Sequence, residues 1–382
     1  MTPQAWLVVA ILALASALAL LVERLLRRRK EARAYLQGVR YVLSDDPDAA
    51  IAALSDAAQL GSPEAVETYL ALGALFRRTG DLARAIRLHR NMLMRPGLDP
   101  ARRVEVEREL AHDYRRGGML DEAVAAYRVL AESGDRAARE GLRDVLVDLG
   151  QLSDAATVQR QLSAAGEDPL LAHLLAAQAR SELAQDVEAA LAAALAAVAA
   201  APRSADALLA LAEAEGTAGR SAQAREAIAA ALDEDPGAAL LAWPAVAAAG
   251  DPASLLTLLD ERLAGSPDDA ALHYLRGRVL HLAGRLQEAM SALRVALERD
   301  AAGEVTLAMR DLLREAEAPA PEELAARHDL MVAALLRKAR PMRCTRCGAE
   351  APTRQWRCKR CGAFESFARP AATGGPGIGQ VG

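Results

Sequence analysis

LALGALFRRTGDLARAI, residues 70–86, decides how this chain is read. Phe76 precedes Gly80 by four residues, and Ala85 follows it by five. The same triple recurs as Tyr114, Gly118 and Ala123, as Leu146, Gly150 and Ala155, and as Leu280, Gly284 and Ala289. A fifth copy, Gly219 and Ala224, carries Glu215 where the large apolar residue is expected. A large side chain under a glycine turn, then a small residue where two helices cross, describes a helical hairpin repeated along the chain.

The spacing fits tetratricopeptide repeats of about 34 residues, in which helix A carries L-G-x-x-Y, helix B carries a small residue and a proline often closes the unit. LGALF at 72–76 matches helix A, and Pro202 and Pro236 lie 34 residues apart at the closing position. Weaker repeats start near Tyr35 (Gly38, Tyr41, Ala50) and cover 170–202, whereas 237–267 is degenerate, with Trp243-Pro244 where helix A should run. The predicted fold is an all-α tetratricopeptide solenoid of about eight repeats over 34–318, closed by a capping helix at 319–341. Composition agrees, because 52% of residues are apolar but only 3% aromatic, with alanine and leucine, the best helix formers, filling the gap. Each repeat buries its apolar face only against its neighbours, and the resulting concave groove commonly holds other proteins.

All four cysteines fall in RCTRCGAEAPTRQWRCKRCGAF, residues 343–364. Cys344 and Cys347 form one C-x-x-C and Cys358 and Cys361 a second, each followed by a glycine, Gly348 and Gly362. Two such pairs can surround one tetrahedral ion, with tight turns aiming backbone N–H groups at the sulfurs and glycine accepting the positive φ. The expectation is a closed zinc ribbon over 342–368, with rubredoxin-type iron as an alternative for the same ligands. The ten-residue separation makes the module minimal. Residues 337–369 carry ten basic side chains against Glu350 and Glu365, a formal +8, or +6 with a zinc bound by four thiolates. An acidic protein surface, anionic lipid or nucleic acid could meet that patch.

Residues 5–22, AWLVVAILALASALALLV, hold no charge and would span about 27 Å as a helix. ERLLRRRK follows at once, while no basic side chain precedes the run. A cleaved signal peptide needs the reverse order. The expectation is therefore an uncleaved single-pass anchor at 1–23 and a basic linker at 24–33. The positive-inside rule places the N-terminus in the periplasm and the bulk of the chain in the cytoplasm. A reducing cytoplasm favours a metal over disulfides at the cysteines. A net charge of −5 argues against a chain-wide nucleic-acid binder, and the anchor makes nucleic acid the weaker candidate for the basic patch. The tail, 369–382, reads as disordered.

No catalytic constellation emerges, so the chain is read as a non-enzyme. GIGQVG at 377–382 satisfies G-x-G-x-x-G literally but lacks the preceding strand that a nucleotide site requires. Walker A, H-E-x-x-H and G-x-S-x-G are missing, and His89 and His112 fall on repeat helices where packing accounts for them. Aligning helix A by Gly73 and Ala111 puts Arg77, Arg78, His112, Arg115 and Arg116 on the groove. They form either a solvated face in an arginine-biased protein, whose only lysines are at 30, 338 and 359, or a basic lane for an acidic partner segment.

LALGALFRRTGDLARAIRLHRNMLMRP (70–96), then AHDYRRGGMLDEA (111–123), resemble the lipopolysaccharide assembly protein B family. So does the order of anchor, repeats and rubredoxin-like domain. The resemblance runs to about Phe367, is sharpest at 70–123 and at the cysteines with Gln355-Trp356, and fades through 165–265. It implies a non-enzymatic inner-membrane adaptor that regulates lipopolysaccharide biosynthesis by delivering the lipid A deacetylase LpxC to the membrane protease FtsH. Other lipopolysaccharide assembly proteins are further implied partners. It also implies that the metal domain, with Cys344, Cys347, Cys358 and Cys361 as ligands, packs back on the repeats. A generic membrane-tethered scaffold for envelope assembly complexes is the competing expectation.

Overall fold

The structure, a computed structural model, describes residues 66–94, 98–164, 166–299, 303–316 and 341–368, with a few helical residues between 16 and 26. Most of the expected anchor, the first repeat near Tyr35, all but the last residue of the capping segment 319–341 and the tail therefore lie outside the described residues. Among the described residues no helix is long and apolar enough to cross a membrane.

The chain divides into two compact units, Met1–Gln151 and Leu152–Gly382. In the first, α1 (Val66–Thr79), α2 (Leu82–Leu93), α3 (Pro100–Arg116), α4 (Leu120–Glu132) and α5 (Arg136–Asp148) each pack on the next. Alternate helices also touch, α1 with α3 and α3 with α5, as stacked hairpins require. The second unit begins with α6 (Leu152–Leu162), α7 (Pro169–Glu182), α8 (Val187–Ala200), α9 (Ala205–Thr217) and α10 (Ser221–Glu234). After a 3-10 turn at Pro236–Leu240 come α11 (Trp243–Ala249), α12 (Pro252–Gly265), α13 (Ala270–Leu282), α14 (Leu286–Arg299) and α15 (Gly303–Ala316).

The repeated glycine signature is a backbone device. Gly80, Gly118, Gly150, Gly219 and Gly284 all have positive φ, from 73° to 86°. The residue after each donates its N–H to the carbonyl of the residue four before the glycine, at 2.8–2.9 Å. This six-to-one bond satisfies a carbonyl that the helix end would otherwise leave unpaired. A Cβ would meet nothing within 4 Å at any of the five, so conformation alone selects glycine. Ala85, Ala123, Ala155, Ala224 and Ala289 are all fully buried. Gly73 is different, because a Cβ there would lie 2.3 Å from Nε2 of His89. Room, not φ, fixes that position.

Two departures have local causes. Glu215, buried beneath its turn, pairs with Arg220 at 3.3 Å. In the degenerate repeat, helix A is broken into the 3-10 turn and the short α11, with Pro244 in the first turn, the one place a missing N–H is tolerated. Among the described residues a large core runs from α9 to α15, rich in alanine and leucine, and Trp356 of the C-terminal ribbon packs against it.

Candidate metal centre and its seat on the repeats

The ribbon begins with β1 (Met342–Cys344), which pairs antiparallel with β2 (Glu350–Ala351) on one side and β3 (Phe367–Ala368) on the other. Its cysteine pairs make the same turn twice. Cys344 N–H donates to the Ala349 carbonyl at 2.9 Å, and Gly348 N–H to the Cys344 carbonyl at 2.9 Å. Likewise Cys358 N–H donates to Ala363 and Gly362 N–H to Cys358, both at 2.8 Å. Gly348 (φ 70°) and Gly362 (φ 73°) adopt the left-handed conformation that the C-x-x-C-G pattern predicts.

These turns bring the four sulfurs within 4.8 Å of one another. The closest contacts cross between the pairs, Cys344 to Cys361 and Cys347 to Cys358, both at 3.7 Å. A tetrahedral ion with metal–sulfur bonds of about 2.3 Å has sulfur–sulfur edges of about 3.8 Å, so the donor set fits one ion. No disulfide joins the four thiols. The Ser366 hydroxyl, 3.2 Å from Cys344 Sγ, lowers that thiol's pKa to about 6 against the effect of burial, helped by the N–H groups of Cys347 and Arg346. Four thiolates leave no open coordination position, which is the arrangement of a structural centre.

The ribbon is seated on the repeats of its own unit. Arg354 bonds Asp235 at 2.7 Å through its guanidinium and Glu304 at the start of α15 through its N–H. The fit is close, since a Cβ on Gly303 would lie 2.3 Å from the Pro352 carbonyl oxygen. His173 on α7 stacks on Phe364 at 4.9 Å and 14°, and lies 6.0 Å from the Trp356 ring. Its Nε2 meets Glu365 at 3.2 Å and its Nδ1 meets Asp206 on α9 at 2.6 Å. Arg180 in turn binds Asp206 at 2.6 Å and Glu213 at 2.8 Å. Burial would lower the His173 pKa, but Asp206 and Glu365 outweigh it and raise the value to about 9. At neutral pH the ring is cationic and donates on both sides. The α7, 3-10 and α15 segments that carry the seat all stand in helix-A positions of their repeats.

The arginines placed on the groove separate into two kinds. Arg77 binds Glu109 and Asp113 on α3, both at 2.6 Å. Arg115 binds Asp148 at 2.8 Å and Asp144 at 3.1 Å on α5. Both therefore tie one helix A to the next. Arg78, His112 and Arg116 are exposed. Sequence reading missed the acidic partners, although a basic residue in helix A with a carboxylate about one repeat later was the signal. It also missed His173 and Asp206, which no local pattern marks.

The rubredoxin metal binding domain of this kind of ribbon matches residues 343–369, and the tetratricopeptide repeat matches 35–90, 174–239 and 245–304. Lipopolysaccharide assembly protein B of Escherichia coli K12 is 32% identical over 103 residues, 27% of this chain and 26% of that protein. The protein of the same name from Haemophilus influenzae is 30% identical over 125 residues, 31% of each chain. The matches thus span between a quarter and a third of the length of these curated relatives. A solved tetratricopeptide protein of Thermus thermophilus is 22% identical with a TM-score of 0.31, covering 45% of this chain and 90% of that one. By its repeats, its ribbon and its curated relatives, the chain is related to the lipopolysaccharide assembly protein B family.

Proposed function

We propose that this protein is a non-enzymatic adaptor of the inner membrane that limits lipopolysaccharide synthesis by presenting the deacetylase LpxC to the protease FtsH. The observation that carries the reading is the ribbon seated on helix-A segments of the repeats, which joins a closed metal centre and a protein-holding scaffold into one surface. The relatives' name supplies the lipopolysaccharide context. The buried clusters at His89 and His173 tie helices together, and the four cysteines form a closed ligand set, which supports holding over catalysis. The uncharged run at 5–22 and its basic flank support a tether beside a membrane protease. The metal would be zinc, with iron as the alternative, and no nucleic acid is a partner.

The test is the half-life of LpxC after translation is blocked. Depleting this protein is expected to lengthen it several-fold and raise lipopolysaccharide. An unchanged half-life, with the protein still capturing other envelope proteins, would leave a general membrane-tethered scaffold instead.

A further inference from the structure

Glu365 is the only non-glycine residue with positive φ among the described residues, at 47°. That conformation crowds Cβ against the backbone, so it persists only where neighbours hold it. Two contacts hold Glu365. Its N–H donates to the Trp356 carbonyl at 2.7 Å, and its carboxylate accepts from His173 Nε2 at 3.2 Å. The next residue, Ser366, is buried, with its hydroxyl 3.2 Å from Cys344 Sγ and its carbonyl accepting the Thr345 N–H at 2.7 Å. The residue after that, Phe367, pairs with Cys344 across the sheet. One backbone step thus separates the contact with the repeats from the contact with a metal ligand. His173 is itself fixed, because Asp206 grips its far side and Arg180 grips Asp206.

We propose that His173 is a positioning residue for the metal centre: by holding Glu365 it sets Ser366 against Cys344, so metal binding and seating of the ribbon strengthen each other. The link is reciprocal by thermodynamic necessity. Whatever factor the seat adds to metal affinity, the metal adds to the stability of the seat. The helix-A surface around Arg180 and Glu213 therefore differs between the metal-loaded and metal-free chain. This inference stands apart from the choice of partner and would survive a failure of the adaptor reading.

Zinc affinity of the full chain, measured by competition with a chromophoric chelator, tests it. Ligand-orienting residues outside the coordination sphere typically change metal affinity by about 10-fold or more. His173→Ala and Glu365→Gly are each expected to weaken zinc binding by about 10-fold, and the double variant by no more than either alone, because both act along one path. Glu365→Gly guards against misfolding of the repeats, since it lies in the ribbon and relieves the positive φ. If the ribbon were self-sufficient, that variant would bind zinc as well as the parent or better. With cobalt(II) in place of zinc, both variants are expected to shift the thiolate charge-transfer bands, which a purely structural role in the repeats would leave unmoved. Chelating the metal from the parent is expected to speed hydrogen exchange about 10-fold in peptides covering 352–357, where Arg354 N–H reports the seat. Affinity of Glu365→Gly within two-fold of the parent, unshifted cobalt bands, or a double variant equal to the product of the singles overturns the proposal.

Discussion

Arg77 in the last turn of α1 and Asp113 on α3 lie 36 residues apart, and their side chains meet at 2.6 Å. Asp113 is fully buried and also receives His89 Nδ1 at 2.6 Å. A residue placed on the groove for capture is therefore a clamp between consecutive repeats. The same relation recurs from Arg115 to α5 and from Arg180 to α9.

The clamps and the exposed arginines are expected to behave oppositely. Arg77→Ala strands a buried carboxylate with only His89 beside it, and is expected to cost about 3 kcal/mol in urea unfolding. Arg78→Ala and Arg116→Ala, both exposed, are expected to stay within about 0.5 kcal/mol of the parent. Reversing Arg78 and Arg116 to glutamate together is the clean probe of the basic lane. Weaker partner capture at unchanged stability would support it, and unchanged capture would return both to a solvated face.

The cysteine geometry makes a stoichiometric claim. One zinc per chain is expected by elemental analysis, and Cys344→Ser or Cys358→Ser is expected to lose it and loosen the ribbon, because structural metal binding is largely folding free energy. A coloured protein carrying iron would select the other ion for the same ligands. Full occupancy in either serine variant would show that the four sulfurs do not act together.

The seat of the ribbon is expected to weaken as pH rises. The His173 pKa is raised above its ordinary 6.5 to about 9. That stabilisation, shared between Asp206 within the repeats and Glu365 of the ribbon, is complete below pH 6.5 and is lost as pH climbs through 9. Protection of the 352–357 amides in the zinc-loaded protein, corrected for the base-catalysed rise of intrinsic exchange, should fall over that range and stay flat in His173→Ala. The carboxylates facing the ring, Asp206 and Glu365, have lowered pKa values and remain ionised throughout. An identical slope in the variant would assign the pH dependence elsewhere.

What the sequence revealed was local geometry. Gly80 and its counterparts were legible because only glycine takes that φ without cost, and Trp243-Pro244 because proline fits a helix only in its first turn, so a helix must start there and not run through. The C-x-x-C-G pairs were legible for the same reason. The seat was not, since Arg354 and Asp235 are 119 residues apart and neither carries a pattern that names the other. Ion pairs between repeats were half visible. The arginines stood out in an arginine-rich chain, but their carboxylates belong to the next turn of the stack, where an isolated repeat gives no hint. Nor could alanine-rich helices announce which face a ribbon covers, because small side chains look alike on every face.

The last prediction separates the tether from the scaffold. An adaptor acts by raising the local concentration of its cargo at the protease, and confinement to the membrane plane is part of that gain. In the proposed reading the tether is the uncharged run at 5–22 with ERLLRRRK behind it, and the positive-inside rule would orient it with residues 24–382 in the cytoplasm. A reporter active only in the periplasm, fused after Gly382, is expected to stay silent. A protein lacking residues 1–23 keeps the sequence of the repeats and the four cysteines, and is expected to bind LpxC as before while restoring its turnover only weakly at matched expression. Glu365→Gly poses the opposite case, with the tether intact and the seat loosened. If LpxC half-life is normal with the shortened protein, the tether has no part in delivery. If it is normal with the loosened seat as well, the combined surface is not what holds the cargo, and the repeats alone must do so.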